Sequence, residues 1–314
     1  MVTIKKIEIK DYFGKGNFEW NLDPVVNILG GKNGSGKSSL FKLCYALLTN
    51  EEIDNKTDKH FSALFEKVTL TLSNDWKIVW IQPKLRKEYI LEIGNSTPQL
   101  YRNIILLNEK GELQDQSKRN EFIKAFMANS FEQDYVSLIT RMQDQKHLYH
   151  SDIGAIPLDS LIDNEINLRN KNLSAAVDKY MDESADEIVS LNEYKKKHNM
   201  INASLSRFMP EYDKKIGSDF VFTKNGEKIP WQSLSMGEKQ ILLLLLMVSN
   251  TNQEPCIFFM DEPDLSMHID WKEILVKELH DLNPNMQIIL STHAPSVITG
   301  WHDRVKEVSQ LIKQ

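Results

Sequence analysis

The stretch from Gly31 to Ser38 constrains the fold of this 314-residue chain more than any other segment. It reads Gly-Lys-Asn-Gly-Ser-Gly-Lys-Ser, after an apolar run at 24–29 and before apolar residues at three- and four-residue spacing over 38–48. This order predicts a buried strand, a glycine loop and a helix. Glycines let successive backbone N–H groups face an anion at a helix N-terminus, so the loop is a predicted phosphate site.

The same loop supplies most of the predicted ligands of a nucleotide. We expect the Lys37 ammonium to meet the β- and γ-phosphates and the Ser38 hydroxyl to bind Mg²⁺, as in other G-x-x-x-x-G-K-S loops. The alternative is a flexible glycine turn, which does not account for the strand, the helix, Lys37 and Ser38 together. The predicted phosphate-binding residues are Asn33, Gly34, Ser35, Gly36, Lys37, Ser38 and Ser39.

Two carboxylates follow a second apolar run. Residues 257–262 read Ile-Phe-Phe-Met-Asp-Glu, which predicts a buried strand with Asp261 and Glu262 at its carboxyl end. Ligands of open α/β sheets bind at that end. We expect Asp261 to hold Mg²⁺, directly or through water, and Glu262 to polarise the attacking water. A solvated acidic turn is the alternative for this segment taken alone.

Two weaker signals lie on either side of that strand. Leu234–Gln240 reads Leu-Ser-Met-Gly-Glu-Lys-Gln before an apolar helix, and a Ser-x-Gly at a helix start can bind an anion. A simple N-cap is its alternative. His293 follows a predicted strand at 286–290, where it can contact a γ-phosphate; an ordinary loop histidine is the alternative.

Taken in order, the four segments resemble the ATP-binding cassette ATPase superfamily. The signature Leu234–Glu238 ends in Gly-Glu, unlike the Gly-Gly-Gln of transporters, and the phosphate loop is similar to that of the chromosome-maintenance branch. The run at 264–268 looks like the dimer-contacting loop. The runs at 261–268 and 291–298 are similar to those of the AAA-type ATPases of bacterial anti-phage defence, of the overcoming-lysogenization-defect, Septu and PARIS types, although Ala294 replaces the usual Ser.

The resemblance implies ATP and Mg²⁺ as cofactors and a second copy of the chain as partner. ATP would lie in a head-to-tail dimer, held by the phosphate loop of one copy and the signature of the other. Lys37, Glu262 and His293 would be the catalytic residues, and Ser38 and Asp261 the metal ligands. The implied signature contacts are Ser235, Gly237 and Glu238. The candidates for a Mg²⁺-sensing side chain are Gln82, Gln114, Gln116 and Asn108.

The predicted fold class is α/β, a mostly parallel sheet with flanking helices, with an antiparallel part near the N-terminus. We expect an ATPase core at 1–116 and 217–314, interrupted by a helical insertion at 117–216. The remaining predicted strands are 2–9, 66–73, 77–82, 88–93, 103–107, 220–222 and 256–260, with a turn at Asn225-Gly226 and helices at 241–248 and 269–279.

Composition limits the partners and the compartment. The net charge of −6 excludes a chain-wide basic field for nucleic acid, and solvated faces account for the clusters at 84–87 and 195–198 more simply than DNA contacts do. The longest apolar run has eight residues, whereas a spanning helix needs about 20. Two cysteines at unrelated positions suit a cytoplasmic protein without a membrane role.

Three functions remain open from the sequence. The first is a defence ATPase that controls a separate effector, for which we expect a nuclease, because only 21 residues follow His293. The second is a repair or recombination ATPase acting directly on DNA, and the third is a nucleotide-gated scaffold with little turnover. A possible metal quartet in the insertion is more simply a solvated face: Asp144, His147, His150 and Asp152.

Overall fold

The computed structural model describes residues 2–49, 55–92, 104–114, 158–181, 185–212, 220–263 and 267–313. By its contacts the chain divides into a first unit and a second unit. The first unit consists of Met1–Thr140, Pro255–Pro263 and Met286–Gln314, and the second of Arg141–Glu254 and Asp264–Asn285. The limits predicted at 116 and 216 stay a prediction, because residues 115–157 and 213–219 lie outside the described ranges.

An antiparallel sheet forms the larger β part of the first unit. Its spatial order is β12-β2-β1-β4-β5-β6. The strands are β1 Ile4–Lys10, β2 Asn17–Asn21, β4 Lys67–Leu72, β5 Lys77–Ile81, β6 Ile104–Leu107 and β12 Ile312–Lys313. Apolar and polar residues alternate along β1, so that Ile7 and Ile9 enter the core while Glu8 faces outward. Strands β4, β5 and β6 pair antiparallel in succession, which confirms the antiparallel part predicted near the N-terminus.

A parallel sheet of four strands carries the phosphate loop. Its order is β11-β3-β10-β9, and every described pair is parallel. The strands are β3 Val26–Gly30, β9 Cys256–Asp261, β10 Met286–Ser291 and β11 Val305–Glu307. Helix α1, Lys37–Thr49, packs on β9, where the ring of Phe41 lies 5.5 Å from that of Phe259. Both sheets and α1 contribute to one apolar core.

The predicted strand at 88–93 is wrong over its described residues. The segment Pro83–Glu92 is a helix, α3, with proline at its first position, where the missing N–H costs no helical hydrogen bond. Leu85 and Tyr89 are four residues apart and pack on an apolar cluster formed by β5 and β6. The apolar residues that suggested a strand therefore include one that packs through a helix face. Two short helices, α2 at Asn55–Ser62 and α8 at Val308–Leu311, complete this unit.

Over its described residues, the second unit contains four α-helices and a hairpin. The helices are α4 Leu158–Met181, α5 Ala185–Phe208, α6 Met236–Asn250 and α7 Ile269–Leu282. Helix α6 contacts both α4 and α5, and all residues from Ile241 to Val248 are buried, as predicted. The hairpin joins β7, Val221–Lys224, to β8, Glu227–Pro230. Its turn has positive φ at Asn225 and Gly226, which confirms the turn signal in the sequence.

Buried polar pairs join the helices of the second unit. Asn250 on α6 donates to the Glu165 carboxylate on α4 over 2.8 Å, and Arg169 donates to the Ser249 hydroxyl over 3.0 Å. Glu278 on α7 accepts hydrogen bonds from Ser204 and Arg207 on α5. Within the described residues, no helix has both the length and the apolar composition needed to cross a membrane.

Candidate functional site

The glycine loop connects β3 to α1 in the first unit, as the sequence predicts. Three of its glycines have positive φ: 150° at Gly31, 74° at Gly34 and 96° at Gly36. Side chains other than glycine are strained in this region. At Gly36 a Cβ would also lie 2.3 Å from the ring of Phe13 and 2.7 Å from the Tyr12 hydroxyl. Position 36 therefore requires glycine both for its backbone angle and for space.

The aromatic pair Tyr12-Phe13 was missed by the sequence reasoning. It lies in the turn between β1 and β2, next to the phosphate loop, and the Tyr12 hydroxyl donates a 2.7 Å hydrogen bond to the carbonyl of Ser35. Burial raises the pKa of Tyr12, so that it stays a neutral donor. Two adjacent aromatic residues before Gly14, shortly after the predicted strand at 2–9, were the available signal.

Lys37 lies at the centre of the predicted catalytic residues. Its ammonium donates to the carbonyl of Gly31 over 2.8 Å, lies 2.9 Å from His293 Nε2, and lies 3.8 Å from Glu262 Oε1. Burial lowers the pKa of Lys37, and the neighbouring carboxylates, led by Glu262, oppose that shift. The structure thus brings together residues that are up to 256 positions apart in the sequence.

The carboxyl ends of β9 and β10 supply the other side of the site. His293 Nε2 lies 3.2 Å from Glu262 Oε1, and the backbone N–H of His293 donates to Glu262 Oε2 over 3.2 Å. Glu262 has a φ of 49°, a left-handed conformation that is strained for glutamate. Asp261 is buried at the end of β9 and accepts a hydrogen bond from the Ser291 hydroxyl.

The residues present fit a magnesium nucleotide. Ser38 is the second residue of α1 and Asp261 ends β9, and their hydroxyl and carboxylate oxygens are hard ligands of the kind Mg²⁺ prefers. In the described ranges, no group of three or more His, Cys, Asp or Glu side chains could hold a metal. Mg²⁺ is usually held by one or two protein oxygens plus phosphates, and Ser38 and Asp261 supply two such oxygens. The buried Ser35 Oγ has no hydrogen-bond partner and is available to a phosphate oxygen.

The signature segment begins helix α6 in the second unit. Ser235 is the N-cap: its N–H donates to the Glu238 carboxylate over 2.6 Å, and its hydroxyl accepts from the Glu238 N–H over 3.4 Å. Burial disfavours the charged form of Glu238, but hydrogen bonds from Ser235 and Tyr212 outweigh it and lower its pKa. Glu238, predicted as a nucleotide contact, thus has its carboxylate in a capping box. Met236 beside it is 59% exposed.

The other sequence candidates separate into three groups. Asn108 binds its own turn, because its side-chain amide donates to Glu112 over 2.9 Å. Arg86 is buried and donates to the carbonyl of Ile81, so Arg86 does not belong to an exposed basic cluster. Gln82 and Gln114 lie within the described residues, and their contacts do not assign either of them a role as the Mg²⁺-sensing side chain. The candidates outside the described residues are Gln116, the run 264–266 and the quartet Asp144, His147, His150 and Asp152.

A buried strand, a glycine loop with an inward lysine, a following helix and an acidic neighbouring strand define a P-loop nucleoside-triphosphatase. The chain belongs to the AAA ATPase domain family AAA_15, which matches residues 3–298. That assignment supports ATPase activity and ATP binding. The resemblance inferred from the motifs, to ATP-binding cassette-type AAA ATPases, is therefore confirmed.

Two curated relatives are named as ATPases of retrons. The chain is 31% identical over 133 residues to the Retron Vc95 probable ATPase of Vibrio cholerae serotype O1 biovar El Tor, which is 37% of this chain and 26% of that protein. It is 33% identical over 90 residues to the Retron Ec83 probable ATPase of Escherichia coli, which is 25% of this chain and 17% of that protein. The matched stretches thus span about a quarter or less of either relative.

Solved structures support the fold. The SMC head domain from Thermotoga maritima matches with a TM-score of 0.56 and 15% identity, over 97% of this chain and 94% of that one. An SMC head bound to the C-winged helix domain of ScpA matches with a TM-score of 0.51 and 11% identity, over 94% and 90%. The predicted fold class, an α/β P-loop fold of the SMC-head type, is confirmed, and its antiparallel sheet is larger than its parallel one.

Proposed function

We propose that the chain binds and hydrolyses Mg²⁺-ATP and that a dimer forms around the nucleotide. The observation that carries the proposal is the cluster of Lys37, Glu262 and His293 at the phosphate loop, with Nζ, carboxylate and Nε2 within 2.9–3.8 Å of one another. A cation at a helix N-terminus, with a carboxylate base and an imidazole beside it, can stabilise charge on a transferring phosphate and activate an attacking water.

Each member of the cluster has one role in this proposal. The Lys37 ammonium binds the β- and γ-phosphates, and the His293 ring contacts the γ-phosphate. Glu262 accepts a proton from the attacking water, and the N–H of His293 holds one of its carboxylate oxygens in place. Ser38 and Asp261 hold Mg²⁺, which would neutralise charge on the phosphate oxygens when bound.

The signature supplies the second half of the binding site from another copy of the chain. Ser235 and the N–H of Gly237 lie at the start of α6, where a helix favours an anion. We assign Glu238 to holding this turn in shape rather than to touching ATP, since its carboxylate caps Ser235. The exposure of Met236 at α6 and of Ile269 at the start of α7 supports a protein surface here.

The physiological role we propose is control of a separate effector, a nuclease, in anti-phage defence. Its support is the similarity to proteins named as retron ATPases, which covers part of this chain. Direct action on DNA is less well supported, because Arg86 is buried and leaves the cluster at 84–87 with two lysines. Intact Glu262 and His293 favour turnover over a scaffold that only binds ATP.

The substitution Glu262→Gln tests the ATPase and the dimer together. We expect ATP binding to persist, phosphate release to fall about 100-fold or more, and the dimer to accumulate with ATP, because the amide cannot accept the proton of water. Phosphate release and light scattering after size exclusion measure these effects. Glu109→Gln removes an exposed carboxylate in a turn and serves as the control. Unchanged phosphate release in Glu262→Gln would remove Glu262 from its proposed role.

A further inference from the structure

One side chain at the end of β10 holds the two acidic residues at the end of β9. Ser291 and Asp261 are partners in the parallel register of β10 and β9. The Ser291 hydroxyl donates to Asp261 Oδ1, and the Ser291 carbonyl accepts the N–H of Glu262 over 3.0 Å. Ser291 is fully buried and Asp261 is 8% exposed. A single residue therefore binds both carboxylate residues, through different atoms.

The two contacts differ in what they require of the sequence. The carbonyl that receives the Glu262 N–H is present whatever the residue at 291. The contact with Asp261 needs a hydroxyl, because a buried carboxylate needs donors and the strand backbone is occupied by the ladder. The hydrogen bond to Oδ1 restricts rotation of the Asp261 carboxylate, and it does not use the second oxygen, Oδ2.

We propose that Ser291 is the positioning residue of the metal site: its hydroxyl orients the Asp261 carboxylate so that the free oxygen faces Mg²⁺. This inference rests on the proposed role of Asp261 as a metal ligand. Hydrogen bonds that orient a ligand in this way typically change metal affinity about 10- to 100-fold when they are removed. Ser291 is fully buried and is not one of the proposed phosphate contacts, so in this proposal it acts through Asp261 and the metal.

A purely structural role is the alternative, in which the hydrogen bond only satisfies a buried hydroxyl. The two roles differ in what the loss of the hydroxyl changes. A structural role lowers the stability of the folded chain. A positioning role weakens metal binding and leaves metal-free nucleotide binding as it was, because the Ser291 hydroxyl bonds to Asp261 and not to the phosphate loop or Lys37.

The test is Ser291→Ala in the full chain, with Mn²⁺ as the probe. Electron paramagnetic resonance measures free Mn²⁺ in the presence of ADP and protein, and a fluorescent ADP analogue in EDTA measures metal-free affinity. We expect Mn²⁺ binding to weaken about 10-fold or more, metal-free ADP binding to change less than about twofold, and Ser291→Thr, which keeps a hydroxyl, to restore most of the loss.

Ser204→Ala is the matched control, because Ser204 is also buried and also donates to a carboxylate, that of Glu278, over 2.8 Å. It should leave Mn²⁺ binding unchanged. Unchanged Mn²⁺ binding in folded Ser291→Ala overturns the inference, and so does an equal loss of metal-free ADP binding. If the alanine variant does not fold, Ser291→Cys, with similar volume and a weaker donor, carries the same comparison.

Asp261→Asn separates this inference from the function on which it rests. If Asp261→Asn abolishes Mn²⁺ binding and Ser291→Ala does not affect it, the metal site stands and the role of Ser291 is wrong. If neither substitution affects Mn²⁺ binding, the assignment of Asp261 as a metal ligand is wrong, and the inference is overturned together with that assignment.

Discussion

The two units bury charged side chains in different places. In the first unit, Asp261 is buried at the end of β9, and the buried Lys37 begins α1 with its ammonium 3.8 Å from Glu262. Arg86 on α3 is also buried and donates to the carbonyl of Ile81. In the second unit, the buried charges other than the capping Glu238 lie between packed helices: Glu165, Arg169 and Glu278. Burying an ionisable side chain is costly in either place. The first unit buries such side chains at the candidate nucleotide site, and the second unit buries them between packed helices.

The difference teaches which buried charges serve chemistry. Lys37 has a carbonyl, an imidazole and a carboxylate around it, a combination that a bound phosphate can exploit. Glu165 and Glu278 instead have partners that fix one helix against the next, which selects a single packing of apolar helices. We therefore expect substitutions in the first group to change binding and substitutions in the second to change stability.

Lys37→Ala should have the largest effect, on nucleotide affinity. Losing a cation that meets two phosphates should weaken ATP binding about 1,000-fold, or about 4 kcal/mol. Its free energy of unfolding should change by less than about 1 kcal/mol, since burial already disfavours this charge. Calorimetry measures the affinity and urea titration the stability, with exposed Lys59→Ala as control. Tight ATP binding by the alanine variant would contradict the phosphate-loop assignment.

Glu165 should make the stability depend on pH. Burial raises its pKa from 4.5 to about 7, so the folded chain holds a proton that the unfolded chain releases. This contribution to stability is fully present below about pH 4.5 and is lost as the pH rises through about 7, by about 3 kcal/mol in total. Urea titrations at several pH values measure it. In Glu165→Gln, the decrease of unfolding free energy with pH that Glu165 causes should vanish. A pH dependence equal to that of the wild type would refute the assignment.

Glu278→Ala should destabilise the second unit by about 2 kcal/mol. It removes a buried carboxylate and leaves the Ser204 hydroxyl without its acceptor, while half-exposed Arg207 can turn to water. Nucleotide affinity should stay within about twofold of the wild type. Thermal and urea unfolding measure the loss, and Glu273→Ala, an exposed change on the same helix, is the control. A large loss of ATP affinity without loss of stability would contradict the view that buried charges of the second unit serve stability and not binding.

Ser249→Ala should have the smallest effect, about 1 kcal/mol of unfolding free energy. It removes the acceptor of one Arg169 hydrogen bond of 3.0 Å and little volume. Urea titration can resolve a change of this size when the wild type is measured alongside. A change below about 0.3 kcal/mol would indicate that water replaces the hydroxyl, and that this pair contributes less than the buried carboxylates do.

Sequence reasoning was strongest where a signal is local. The strand, loop and helix at 24–49, the turn at 225–226 and the apolar helix α6 each follow from neighbouring residues, and all three are confirmed. The strand predicted at 88–93 was wrong, because the alternation of apolar residues there is too short to distinguish a strand from a helix that packs on β5 and β6.

What the sequence did not reveal depends on long-range contacts. Strand β12 has only two residues and pairs with β2 near the other end of the chain, so its own residues carry no strand signal. Strand β2 does alternate polar and aromatic residues, and that signal was missed. The contact of Phe13 with Gly36 and the hydrogen bond from Ser291 to Asp261 likewise join distant segments. The motifs predicted Glu262 at the end of β9 and His293 after β10, and the structure has both there, but the groups that hold them became visible only when the sheet was assembled.

The position of β3 has a consequence for how the chain is made. Both of its neighbours, β10 and β11, come from residues 286–307, whereas β3 itself ends at Gly30. At about 5–20 residues per second, roughly 15 to 55 seconds of synthesis separate the phosphate loop from the strands that complete its sheet. During that interval β3 lacks both of its partner strands, so we expect a bound nucleotide to stabilise this sheet only after β10 and β11 have been synthesised.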